Sequence, residues 1–274
     1  MATWTIEEPQ QLTFDGVRRL RVRTVRGSLS VVGTDDQARL EVTDIRGMPP
    51  TVRYDDGVLE VGYDDWSQPG FLSWLLGRRK WRRHAVVSVA VPRDCPVDLG
   101  VVAAGVVVSG LRAEVRVRVM SGDITLAGLT GPVDAETVSG SVEAHAVAAR
   151  LRMQTVSGDL TLVEGGGEVH ARTVSGTVTC DLAAAGSGEI RLSTVSGDLV
   201  VRMPDRSDLT VRLQTTSGQI SSAFNALKRT GRPGVQVVEG LLGAGTGRLW
   251  ANTTSGNVAL LRREPEEPAV GDAR

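Results

Sequence analysis

Large rings are scarce in this chain: aromatic residues make up 4% of its 274 positions, so its core has to be assembled from aliphatic side chains. Cysteine is rarer still, and Cys95 and Cys180 alone make no disulfide framework. The three histidines, His84, His145 and His170, form no pair with a cysteine at metal-ligand spacing, so neither a metal site nor any other cofactor is expected. No run approaches the roughly 18 consecutive apolar residues that a membrane-crossing helix requires. The opening MATWTIEEPQQLTFDG lacks the basic start and apolar stretch of a secretory signal. Excess charge is missing too: the net value is −1, and with no global field to recruit it, nucleic acid is not expected as a partner. These absences point to a cytoplasmic protein.

What is present is valine, glycine and a repeated phrase. Hydrophobic residues reach 41%, enough for a sizeable core, and glycine occurs 32 times. That mixture favours many short strands with tight turns over helices. The phrase Thr-Val-Ser-Gly begins at Thr137, Thr155, Thr173 and Thr194, with variants beginning at Val119, Thr215 and Thr253. Its glycines Gly122, Gly140, Gly158 and Gly176 lie 18 residues apart, Gly197 and Gly218 follow at 21, and Gly256 comes 38 later. A short constant period marks a solenoid, in which each repeat is one coil that cannot bury its apolar face alone. Ala104-Gly105 aligns with Ser121-Gly122 as an earlier, degenerate coil.

Within a coil, apolar residues alternate with polar ones, which is the period of a strand. Pairs such as Val115/Val117, Leu151/Met153 and Ile190/Leu192 precede the serine, and Ile124/Leu126, Leu160/Leu162 and Val178/Cys180 follow it. One strand therefore enters the Ser-Gly corner and another leaves it, each turning alternate side chains to a shared interior. Glycine permits the corner, and the Thr and Ser columns read as structural ladders. The chain is expected to be all-β: a parallel β-solenoid of about 18–21 residues per coil over residues 100–262, preceded by a largely antiparallel β cap over 1–99 and followed by a disordered tail at 263–274.

Two outward columns flank the core. Five before the serine stand Arg116, Asp134, Arg152, His170, Arg191 and Arg212; two after it stand Asp123, Ser141, Asp159, Thr177, Asp198, Gln219 and Asn257. A calcium ladder would need Asp in every coil, so the alternating Asp reads as turn chemistry. The column Thr125, Glu143, Thr161, Thr179 is too broken for a flat ligand-binding plane.

Two stretches break the pattern. Residues 66–84 hold three of the five tryptophans and a basic cluster. Trp66, Phe71, Leu72, Trp74, Leu75 and Trp81, beside Arg78, Arg79, Lys80, Arg82 and Arg83, are the ingredients of a surface that meets a protein partner or an anionic membrane. The other reading is a loop or short helix folded back over an end of the solenoid. Residues 223–248 form an insertion, read as one helical turn exposing Lys228, Arg229 and Arg232, followed by a strand from Val235 to Val238.

The Thr-x-Ser-Gly phrases, their spacing, and the sequence Thr24-Val25-Arg26-Gly27 after Phe14-Asp15-Gly16-Val17 resemble a bacterial family of β-strand-repeat proteins of unknown function labelled "putative adhesin". The likeness covers about residues 12–262. It implies a β-solenoid and supplies no catalytic residues to carry over. The function expected is a non-enzymatic scaffold or interaction module, cytoplasmic or peripheral at the inner face of the membrane. The alternatives are an adhesin-like ligand binder and, less favoured, a solenoid hydrolase or lyase.

Overall fold

The computed structural model describes residues 1–63, 83–183, 188–232 and 234–263, and it is built of strands, with no helix among the described residues. The first part comprises β1 (Ala2–Thr5), β2 (Gln10–Phe14), β3 (Arg19–Thr34), β4 (Ala38–Arg46), β5 (Thr51–Asp55), β6 (Val58–Gly62), β7 (His84–Pro92) and β8 (Val97–Ser109). Coils then follow as pairs: β9 (Val115–Ser121) with β10 (Ile124–Ala127), β11 (Val133–Ser139) with β12 (Val142–His145), and β13 (Leu151–Gln154) with β14 (Leu160–Gly165). They continue as β15 (Val169–Arg172) with β16 (Val178–Leu182), β17 (Glu189–Ser196) with β18 (Leu199–Pro204), and β19 (Leu209–Ser217) with β20 (Ile220–Ser222). A hairpin of β21 (Lys228–Arg232) and β22 (Val235–Leu242) precedes the final pair, β23 (Gly247–Ser255) and β24 (Val258–Arg263).

Because each coil enters and leaves one corner, the strands sort into two faces. Strands before the corner stack in parallel as β8, β9, β11, β13, β15 and β17, and those after it as β8, β10, β12, β14, β16 and β18. β3 and β8 are long enough to serve both faces: the start of β3 pairs with β6 and its later part with β7. The expected inward residues, among them Leu126, Leu151, Met153, Leu160 and Cys180, have essentially no exposure. Each large aliphatic side chain so buried contributes about 1.5–3 kcal/mol.

The corner phrase has a direct physical account. At Gly140 φ is +144° and an added Cβ would lie 2.2 Å from the carbonyl oxygen of Gly122, so coils approach too closely for any side chain there. From Ser139 onward the threonine two places before each corner serine donates its hydroxyl to the corner glycine carbonyl of the adjacent coil: Thr155 to Gly140 at 3.3 Å, Thr173 to Gly158 at 3.3 Å, Thr253 to Gly197 at 3.1 Å. The aspartates two places after it accept an amide from the next coil, Asp123 from Ser141 at 2.8 Å and Asp159 from Thr177 at 2.7 Å. One carboxylate every second coil supplies these bonds while keeping like charges apart.

Stacking departs from chain order at both ends. The last coil, β23 with β24, lies between β17/β18 and β19/β20, so two coils consecutive in sequence are separated by one made later. At the other end β3 sits between β8 and the pair β6/β7. The early coil is also registered one residue from its sequence alignment: Ala103 pairs with Ser121 and Gly105 lies beside Asp123, because β8 runs through the bend as one continuous strand. For the same reason a boundary drawn at 99/100 falls inside a strand.

Both ends carry antiparallel strands that cover the ladder edges. β5 and β1 follow β6 on one face, and β4 and β2 follow β7 on the other, as the expected cap. At the far end β22 pairs antiparallel with β19 and β21 with β22. The helical turn expected around Lys228 is therefore the strand β21, whose polar residues are held by pairing with β22 and not by a buried apolar stripe. The tail from 264 onward lies outside the described residues.

Candidate interaction surface

Most of the expected contact residues, Trp66, Phe71, Leu72, Trp74, Leu75, Arg78, Arg79, Lys80, Trp81 and Arg82, lie outside the described residues. Their attachment points do not. β6 ends beside Tyr63 and β7 begins after Arg83, one residue ahead of the corner, where His84 and Ala85 pair with Arg26 and Gly27. Arg83 was grouped with the exposed basic cluster, but its side chain is buried, 7% exposed, with the guanidinium 4.7 Å from the centre of the Tyr63 ring. A cation over an aromatic face keeps part of its stabilisation out of water. Burial pushes the Tyr63 hydroxyl above its ordinary value of 10, with the Arg83 charge opposing.

Beneath Tyr63 and Arg83 lie Val25 and Val102, the first two members of a column formed by the residue just before each corner serine. The column continues through Met120 to Val138, Val156, Val174 and Val195, which are 45–50% exposed. Serines 121, 139, 157, 175, 196, 255 and 217 run beside it in register. The corner edge is thus an apolar ridge about 4.8 Å per step, covered at its head and open along the middle. Sequence reasoning passed over these valines because alternation assigns them outward, and an outward valine in one coil means nothing until the coils are stacked.

Charged side chains cover the face before the corner. Arg21 pairs with Glu60 at 3.0 Å and Arg23 with Asp98 at 2.7 Å, and these line a cavity of about 460 Å³ with Arg53 and Tyr63. Partial burial raises the carboxyl of Asp98, but the Arg23 hydrogen bond and charge outweigh it and hold the group below the ordinary range. Farther along, Glu168, His170 and Glu189 gather their ligand atoms within 4.8 Å. Arg150 at 3.0 Å from Glu168 and Arg191 at 2.7 Å from Glu189 already neutralise both carboxylates. Cys95 and Cys180 are free and buried, and desolvation pushes the Cys180 thiol up to about 12, so it is an inert core group.

A family model described as Toastrack DUF4097 matches residues 113–261. Among solved structures, a candidate adhesin from Bacteroides fragilis is 12% identical, with a TM-score of 0.50 over 93% of this chain and 98% of that one. A candidate adhesin from Parabacteroides merdae is 9% identical with a TM-score of 0.39, covering 95% of this chain and 98% of its own. A candidate lipid-binding protein from Parabacteroides distasonis is 10% identical with a TM-score of 0.28 over 95% and 98% of the two chains. No curated protein matches the chain.

Proposed function

The chain belongs to the Toastrack DUF4097 family, and from that premise we propose that it is a non-enzymatic interaction module whose corner edge makes the contact. The observation that carries this reading is the coincidence of two features on one edge. The Trp- and Arg-rich segment is attached at Tyr63 and Arg83, which cover Val25 and Val102 at the head of the column that runs on through Met120 as the exposed valine ridge from Val138 to Val195. A rigid stack holds such an edge straight without ordering cost on binding.

The partner proposed first is an anionic membrane surface, met by Trp66, Phe71, Leu72, Trp74, Leu75 and Trp81 with Arg78, Arg79, Lys80 and Arg82, and the location proposed with it is the inner face of a membrane. The test is sedimentation of the intact chain with anionic and neutral liposomes, beside the double variant Trp74→Ala, Arg78→Glu. The expected result is retention on anionic vesicles that the double variant loses. Failure of the intact chain to sediment with either vesicle overturns the membrane reading, and the ridge then points to a protein partner.

A further inference from the structure

Of the two tryptophans among the described residues, Trp4 packs edge-on against Phe14 with ring centres 5.5 Å apart, whereas Trp250 is 52% exposed. Trp250 lies on β23, the coil strand that sits out of chain order. That strand turns Gly247, Leu249, Ala251 and Thr253 inward and Arg248, Trp250 and Asn252 outward. Register with β17 places Glu189, Arg191 and Ser193 beside these three on one side. Register with β19 places Thr210, Arg212 and Gln214 on the other. Trp250 therefore stands at the centre of a grid with about 4.8 Å between strands and about 6.7 Å between successive outward residues.

The surrounding charges are unequal. Arg191 lies 5.6 Å from the Trp250 ring and is held by Glu189 at 2.7 Å, while Arg212 is held by Glu239 at 3.3 Å. Both are neutralised walls. Arg248 is exposed and has no acid partner among the described residues. The result is a half-exposed indole with the Arg191 guanidinium over its ring, Arg248 without an acid partner at one end, the carboxamide of Asn252 at the other, and Ser193, Thr210, Gln214 and the Arg191-paired Glu189 at the corners.

These groups suit one chemistry together. An indole packs against the C–H face of a sugar ring, a guanidinium grips a carboxylate with two parallel hydrogen bonds, and amides and hydroxyls satisfy ring hydroxyls. We propose that this face of β23 binds a carboxylated pyranose within an acidic polysaccharide. Single-stranded nucleic acid fits less well, because it uses successive stacking rings and a track of unpaired cations. Here one ring stands beside one unpaired arginine. The site is on the flat face before the corner, so it stands or falls independently of the corner edge.

The test is affinity electrophoresis of the full chain in gels containing polygalacturonate, with neutral galactan and single-stranded DNA as separate probes. Variants are Trp250→Ala, Trp250→Tyr and Arg248→Gln, each checked by thermal melting, since both positions changed are exposed. The expected result is retardation by polygalacturonate alone, weakened at least about tenfold by Trp250→Ala and by Arg248→Gln and largely kept by Trp250→Tyr. Retardation that survives Trp250→Ala, equal retardation by galactan, preferential binding of DNA, or no retardation at all would overturn the proposal.

Discussion

At Gly158 the backbone leaves no room for a side chain: a Cβ would meet the carbonyl oxygen of Gly140 at 2.0 Å, with φ at +151°. Gly158→Ala is expected to cost about 3 kcal/mol or more, because neighbouring coils on both sides resist displacement. Thr173→Val keeps the shape and removes only the hydroxyl that donates to the Gly158 carbonyl at 3.3 Å, so about 1 kcal/mol is expected. Urea unfolding of both variants checks the ranking, and equal costs would show that the corner is not sterically closed. Asp181 is a second residue whose environment predicts behaviour. It is 7% exposed, hydrogen bonded to Arg202, with Arg263 at 3.7 Å, and the Arg202 contact holds its carboxyl below the ordinary value of 3.8. A lowered folded value means that the pair stabilises fully above the unfolded value and is lost as pH falls through the folded one. Asp181→Asn is therefore expected to be about 1–3 kcal/mol less stable than wild type at pH 7, with the gap narrowing below pH 4. A gap independent of pH would assign the loss to packing.

The final coil is the element whose position matters most. With β23 and β24 in place, β17, β18, β19 and β20 all have partners; without them two pairs of parallel edges face each other across an unfilled slot. A chain ending at Thr246 is expected to associate on size-exclusion chromatography and to unfold at a clearly lower urea midpoint, whereas a monomer with an unchanged midpoint would show that the last coil adds nothing. The strands of this coil were legible in the sequence, as were the inward columns, since alternation and the Ser-Gly ruler fix both within one repeat. The place of the coil was not. Every corner offers the same glycine carbonyl and every strand the same ladder, so any Thr-x-Ser-Gly coil pairs with any other, and local sequence carries no record of stacking order. The exposed Trp250 was overlooked for a related reason: its neighbours Arg191 and Arg212 become neighbours only through that insertion. β21 was misread because Lys228-Arg229-Thr230-Gly231-Arg232 has no apolar alternation and is a strand through its partner alone.

As a whole the molecule is a row of coils in which each touches only the next, so its stability is expected to be a sum of coil terms and interface terms. The interface terms carry a longer period than the coil. Along the column two after the serine, Asp123, Ser141, Asp159, Thr177 and Asp198 alternate charged with neutral, and five before it Asp134 separates Arg116 from Arg152. Removing residues 123–158 deletes two coils, joins Gly122 to Asp159, and preserves the alternation at Asp159. Removing residues 141–158 deletes one coil, joins Gly140 to Asp159, and sets Asp159 directly beside Asp123. Directly adjacent like charges cost about 0.2–1 kcal/mol, and salt relieves that cost where the carboxylates are exposed. Both shortened chains are expected to melt in one cooperative step, because every coil that remains still has a neighbour on each side. Raising sodium chloride from about 0.05 M to about 1 M, where the screening length falls to about 3 Å, is expected to raise the melting temperature of the one-coil deletion more than that of the two-coil deletion. An equal salt response would mean that the alternating aspartates serve only their amide hydrogen bonds. A larger response in the two-coil deletion would place the dominant repulsion where Arg118 comes to stand beside Arg172.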